Sequence, residues 1–105
     1  MSKRVMFAGL IKRLEDTLLG GPGEASVEVR TAAAQGTGTG ALGDYGRQVR
    51  AAAYRVTPEQ LAQLQGSHSD DVLFEVTVSA AWGAARDRYE AGAKDLDAAW
   101  AETEP

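Results

Sequence analysis

Residues 72–85 form the most apolar stretch of the chain; only Glu75, Thr77 and Ser79 bring a charge or a hydroxyl into it. In a chain of 105 residues such a run has to be covered, and what covers it decides the fold. Two local structures fit. Val72, Phe74, Val76 and Val78 alternate with Leu73, Glu75 and Thr77, which is the period of a strand. The beginning of the run argues for a helix. Ser69 is a good N-cap, and Asp70 and Asp71 stand where the positive end of a helix dipole favours carboxylates. The apolar run also flows into residues 80–100. A helix is therefore expected, and one that is apolar on most sides is expected to be central and buried.

The same helix carries a second pattern. Trp82, Tyr89 and Leu96 are seven residues apart, and Ala93 and Trp100 continue the seam. That spacing suits packing against another helix, including one from a second subunit. At the other end of the chain, Phe7, Leu10, Ile11, Leu14 and Leu18 recur every three or four residues, one face of a helix over 4–19. Gly20, Gly21, Pro22 and Gly23 end it. This helix is basic and amphipathic, yet its few cations are accompanied by Glu15 and Asp16. Packing on the domain or on a partner subunit is expected of it, rather than binding to a membrane surface.

Capping chemistry divides the middle of the chain. Ser26 caps a segment over 26–35 in which Glu28 suits the first turn and Ala32, Ala33 and Ala34 favour helix. Gly36, Thr37, Gly38, Thr39 and Gly40 form the clearest break, expected to be a mobile loop. Leu42, Tyr45, Val49, Ala52 and Ala53 mark one face of a third helix over 42–54. Thr57-Pro58-Glu59-Gln60 combines an N-cap, a proline at the first helical position and a capping-box glutamine. Leu61 and Leu64 give that short helix a buried edge, and Gly66 stops it. The reading is one all-α domain spanning 1–105.

Gly38-Thr39-Gly40-Ala41-Leu42-Gly43 matches G-x-G-x-x-G. A dinucleotide site needs a strand before that loop, whereas an alanine-rich helical stretch precedes it here. A linker is expected, and no cofactor.

Composition removes whole classes of function. The chain has no cysteine and one histidine, His68. Disulfides, zinc-thiolate sites, iron–sulfur clusters and thiol nucleophiles are excluded, and no metal site is expected. A net charge of -4 gives no counterion-release drive toward nucleic acid. The balance is uneven: Lys3, Arg4, Lys12 and Arg13 make the start basic, and Asp87, Glu90, Asp95, Asp97, Glu102 and Glu104 make the end acidic. The two ends are expected to attract, within or between chains. No apolar run approaches the ~20 residues of a membrane span, residues 5–11 lack a leader's cleavage site, and a cytoplasmic protein is the default expectation.

Two stretches resemble a known family. The first is Tyr54-Arg55-Val56-Thr57-Pro58-Glu59-Gln60-Leu61-Ala62-Gln63-Leu64. The second is Gly66-Ser67-His68-Ser69-Asp70-Asp71-Val72-Leu73-Phe74-Glu75-Val76-Thr77-Val78-Ser79-Ala80-Ala81. They resemble the helix-turn segment, and the segment after it, of the alkylhydroperoxidase D-like, or carboxymuconolactone decarboxylase-like, superfamily. Arg86-Asp87-Arg88-Tyr89-Glu90-Ala91-Gly92 resembles the arginine-bearing end of that helix, so the likeness covers residues 54–100. It implies an all-helical bundle completed by oligomerisation. The redox members of that superfamily carry a C-x-x-C pair followed by a histidine; the corresponding region here, residues 31–45, has neither. Dithiol reduction of peroxide is thus excluded for this chain alone.

Three functions remain in view. The first is an oligomeric structural or accessory subunit, a homo-oligomer or the companion of a cysteine-bearing homologous subunit. The second is a cofactor-free acid–base enzyme of the carboxymuconolactone decarboxylase type, with Glu75 and His68 as catalytic candidates. His68 is the one side chain whose ordinary pKa lies near neutrality. Glu75, if desolvated, gains a raised pKa suited to proton transfer. Each has a plainer role: His68 as an exposed turn residue, Glu75 as an ion-pair partner of Arg86 or Arg88. The third is a binding module for a small apolar ligand.

Overall fold

In a computed structural model that describes residues 3–103, with the side chains of residues 5–99, every regular element is helical. The order is α1 Lys3–Gly20, α2 Val27–Gln35, α3 Gly40–Ala52, a 3-10 turn Ala53–Arg55, α4 Pro58–Gln65 and α5 Asp70–Thr103. The strand alternative for residues 72–78 is not realised; they are the first turns of α5.

The caps form largely as their chemistry dictates. Ser26 Oγ accepts from the Val29 N–H at 3.1 Å, Thr57 Oγ1 from Gln60 at 3.1 Å and Ser69 Oγ from Val72 at 3.2 Å. Each satisfies one of the N–H groups that a helix start leaves without a partner. The capping box at Thr57 is only half closed. The Gln60 side chain turns away and donates to Gln48 Oε1 at 2.6 Å, tying α4 to α3. Gly36 ends α2 with φ 73°, a left-handed conformation that costs glycine nothing.

The core lies where α2 and α3 cross the first half of α5. Ala33, Tyr45, Val49, Leu64, Leu73, Val76 and Ala80 are its buried members. The Tyr45 hydroxyl reaches Thr77 Oγ1 at 2.6 Å, and Thr77 in turn donates to the Leu73 carbonyl at 2.6 Å. A buried phenol needs such a partner. Helices α2 and α5 touch backbone to backbone at Gly83, where a Cβ would fall onto the Ala34 carbonyl group and stand 2.6 Å from Arg50 Nη1. Arg50 joins three elements there: it donates to the Ala34 carbonyl and pairs with Asp87 at 2.6 Å.

Helix α5 is less covered than its composition predicts. Leu73, Val76, Ser79, Ala80 and Ala84 are buried, but Phe74 is 69% exposed. With 34 residues and ~1.5 Å of rise per residue, α5 outruns the core. Beyond Asp87 its described neighbours come from α1, and the two run antiparallel. Glu15 pairs with Arg86, while Ala8 and Ile11 share a cleft with Tyr89 and Ala93. The ion pair that joins the two helices has its acid, Glu15, on the basic α1 and its cation, Arg86, on the acidic α5. The two-helix arm makes the molecule 60 × 28 × 19 Å, with a radius of gyration of 16.5 Å, against ~13 Å for a compact domain of this size.

Candidate functional site

Glu75 sits in the second turn of α5 and is half-buried. Its carboxylate accepts the backbone N–H of Glu24 at 2.9 Å and of Ala25 at 2.6 Å. These amides belong to the segment between α1 and α2, so the side chain anchors that segment to α5. The two hydrogen bonds favour the ionised form and hold the carboxyl below its ordinary range, with the Arg30 charge adding to the effect. Burial opposes the shift without reversing it. Glu75 pairs with neither Arg86 nor Arg88, and Asp71, one turn earlier, is exposed and makes no bond to it. A carboxylate stabilised in this way is a weak proton acceptor near neutrality.

Arg30 is the counterpart of Glu75 on the same segment. It is 4% exposed. Its guanidinium donates to the carbonyls of Leu18 at 2.9 Å, Gly21 at 2.5 Å and Ala25 at 3.2 Å. A cation at the C-terminal end of α1 meets both unpaired carbonyls and the negative end of the helix dipole. Arg30 and Glu75 therefore hold the 20–26 segment from two sides, one through its carbonyls and the other through its amides.

His68 lies apart from this clasp. Its backbone N–H closes the end of α4 on the Leu64 carbonyl at 2.9 Å, and its half-buried ring makes no hydrogen bond or ion pair with Glu75. Seven residues separate them, with Glu75 further along α5. Asp70, the nearest acid in sequence, accepts from Gln65 instead.

The glycine loop follows a helix, not a strand, and packs on the first turn of α3. Gly38 and Gly43 lie backbone against backbone, so that a Cβ on Gly43 would overlap the Gly38 carbonyl. Arg47 donates to that carbonyl at 2.5 Å. Between this loop, α2 and α3 opens a cavity of about 280 Å³, lined chiefly by Val29, Ala32, Ala33, Leu42 and Val76. A second cleft, of about 350 Å³, separates α1 from α5 and holds Lys12, Glu15, Arg86, Glu90 and Lys94 at its walls. Among the described residues no group of acids and histidine is arranged to hold a metal ion.

Among the described residues, apolar side chains of α1 and α5 are left uncovered. On α1, Met6 is 61% exposed, Phe7 56%, Leu14 49% and Leu10 43%; on α5, Leu96 is 53% and Tyr89 38% exposed. The Trp82–Tyr89–Leu96 seam thus runs from a half-buried Trp82, whose buried Nε1 has no partner, to an open end. The side chain of Trp100, its last member, lies outside the described side chains. Sequence periodicity locates both stripes. It does not mark Arg30, which stands in an alanine-rich helix with no local pattern to single it out.

Compared with protein-family models, with curated proteins and with solved structures, the chain matches none.

Proposed function

We propose that this protein acts as an oligomeric helical subunit, structural or accessory rather than catalytic: a cysteine-free member of the alkylhydroperoxidase D-like fold. The observation that supports this most is the apolar surface left open on α1 and α5. Isolated monomers rarely expose a contiguous patch larger than ~300–600 Å². Six half-open or largely open apolar side chains on two adjacent helices match the need for a partner. The partner is a second copy or a cysteine-bearing homologous subunit. Glu75 contributes to this reading by its engagement with two amides, which commits it to holding the fold together.

Light scattering on the purified chain at micromolar concentration tests the proposal. It expects a mass that is a multiple of the chain mass of 11.1 kDa. A clean monomer refutes it.

A second reading rests on the cavity between α2 and α3. Its apolar lining and volume of about 280 Å³ suit a small apolar ligand, near the lower end of the ~300–1,000 Å³ range of ligand pockets. A screen of small apolar metabolites for raised melting temperature tests it, and a panel with no shift counts against it.

A further inference from the structure

The exposed residues of α1 and α5 belong to one surface. At about 100° per residue, Met6, Phe7, Leu10 and Leu14 fall within roughly a quarter of the circumference of α1. That quarter borders the edge, Ala8, Ile11 and Glu15, that faces α5. On α5 a matching stripe recurs every three or four residues through Ala81, Ala85, Tyr89, Gly92 and Leu96. Because the two helices run antiparallel, the two stripes turn to the same side of the pair. The arm therefore has a broad apolar face made by both helices, and α2, α3 and α4 lie away from it.

We infer that this face is covered by the same face of a second copy, forming an up-down four-helix bundle in which each α1 lies over the partner's α5. The inference rests on the oligomeric reading above and specifies its surface and geometry. Two observations select the occupant. The first is area. An aromatic side chain carries ~150–250 Å², so the six apolar side chains of the arm, open by a third to two thirds, offer on the order of 600 Å² per copy. A stable two-fold interface takes about 800 Å² from each partner. The second is charge. Residues 3–13 contain four cations and no acid, whereas residues 87–104 contain six acids against Arg88 and Lys94. Stacking α5 on α5 would bring like net charges together, while α1 over α5 sets opposite net charges against each other. Self-complementarity of this kind is what a two-fold interface requires.

The absence of cysteine gives a direct test. Glu15 opposite Arg86, with Ala8 and Ala93 in one cleft, sets Leu10 level with Ala91 and beside Gly92, whose side is open space. Leu10→Cys and Gly92→Cys chains, each with a single thiol, are mixed and treated with a short bis-maleimide. The inference expects cross-linked dimer in the mixture at several-fold the yield of either variant alone. A second measurement guards against local damage by the new thiols: Leu10→Glu combined with Leu96→Glu yields a helical monomer, whereas Tyr54→Ser, at an exposed site off the face, leaves the dimer intact. If the wild-type chain is oligomeric but either cysteine variant cross-links to itself as well as in the mixture, or the double glutamate variant stays oligomeric, the arrangement is overturned and the oligomeric reading stands. A monomeric wild-type chain overturns both.

Discussion

Replacing Gly83 with alanine separates what a helix prefers from what a helix crossing permits. In a helix interior the change gains about 0.5–1 kcal/mol through backbone entropy and propensity. At Gly83 the new methyl would fall onto the Ala34 carbonyl and stand 2.6 Å from Arg50 Nη1. Neither neighbour can yield cheaply: one is α2 backbone and the other is held between Ala34 and Asp87. Helices α2 and α5 must separate by more than an ångström, loosening Ala33, Val76 and Ala80 in the core. Overpacking costs ~1–3 kcal/mol, and disrupting the hydrogen bond from a charged donor adds roughly 1.5–3. The net expectation is a loss of about 1.5–5.5 kcal/mol, a fall in melting temperature of at least ~6 °C. Gly9→Ala is the matched control: it lies inside α1 with nothing within 4 Å of the new Cβ, so about 0.5–1 kcal/mol of stabilisation is expected. Urea denaturation at one fixed protein concentration reads both. A Gly83→Ala chain as stable as the wild type would refute the close α2–α5 crossing.

Three further perturbations probe the clasp and the core. Arg30→Met leaves the Leu18, Gly21 and Ala25 carbonyls without their donor and is expected to cost about 2–4 kcal/mol in chemical denaturation; a loss below ~1 kcal/mol would mean that the segment after α1 is held by something else. Glu75 has a folded-state pKa below its ordinary value of 4.5, so its contribution is present above that value and fades as the pH falls through the folded pKa. Asp87, held down mainly by its hydrogen bond to Arg50, acts in the same direction. Stability is therefore expected to be flat near neutrality and to drop below about pH 4.5, and Glu75→Gln is expected to lower the plateau and make the acid drop shallower; an unchanged acid profile would contradict the anchoring role. Tyr45→Phe removes the donor to Thr77 Oγ1 while leaving the ring in place, an expected cost of ~0.5–1.5 kcal/mol, and a change of sign would show that the buried hydroxyl is poorly satisfied.

Much of the fold was readable because its signals are local. Ser26, Thr57 and Ser69 cap the helices that their chemistry points to, and the caps at Ser69 to Asp71 decide correctly between helix and strand for the run that follows. Where a long-range contact intervenes, local reading falls short. Helix α3 begins at Gly40 instead of Leu42, because Gly38 and Gly43 pack together and bring the loop onto the helix start. The Gln60 side chain leaves its capping box for Gln48 because α3 is within reach. The clasp was not legible at all, since Glu75 meets amides about fifty residues away and nothing near Arg30 announces three waiting carbonyls. The apolar stripes were legible as faces. Periodicity says that a face is apolar but not whether the chain itself covers it, and here it leaves much of each stripe open.

Sedimentation equilibrium on the wild-type chain at micromolar concentration is the most direct measurement of whether that open face has a partner. A species of twice the chain mass of 11.1 kDa is expected, shifted to monomer by Leu10→Glu with Leu96→Glu. A wild-type chain that sediments as a single 11.1 kDa species across that range would contradict it.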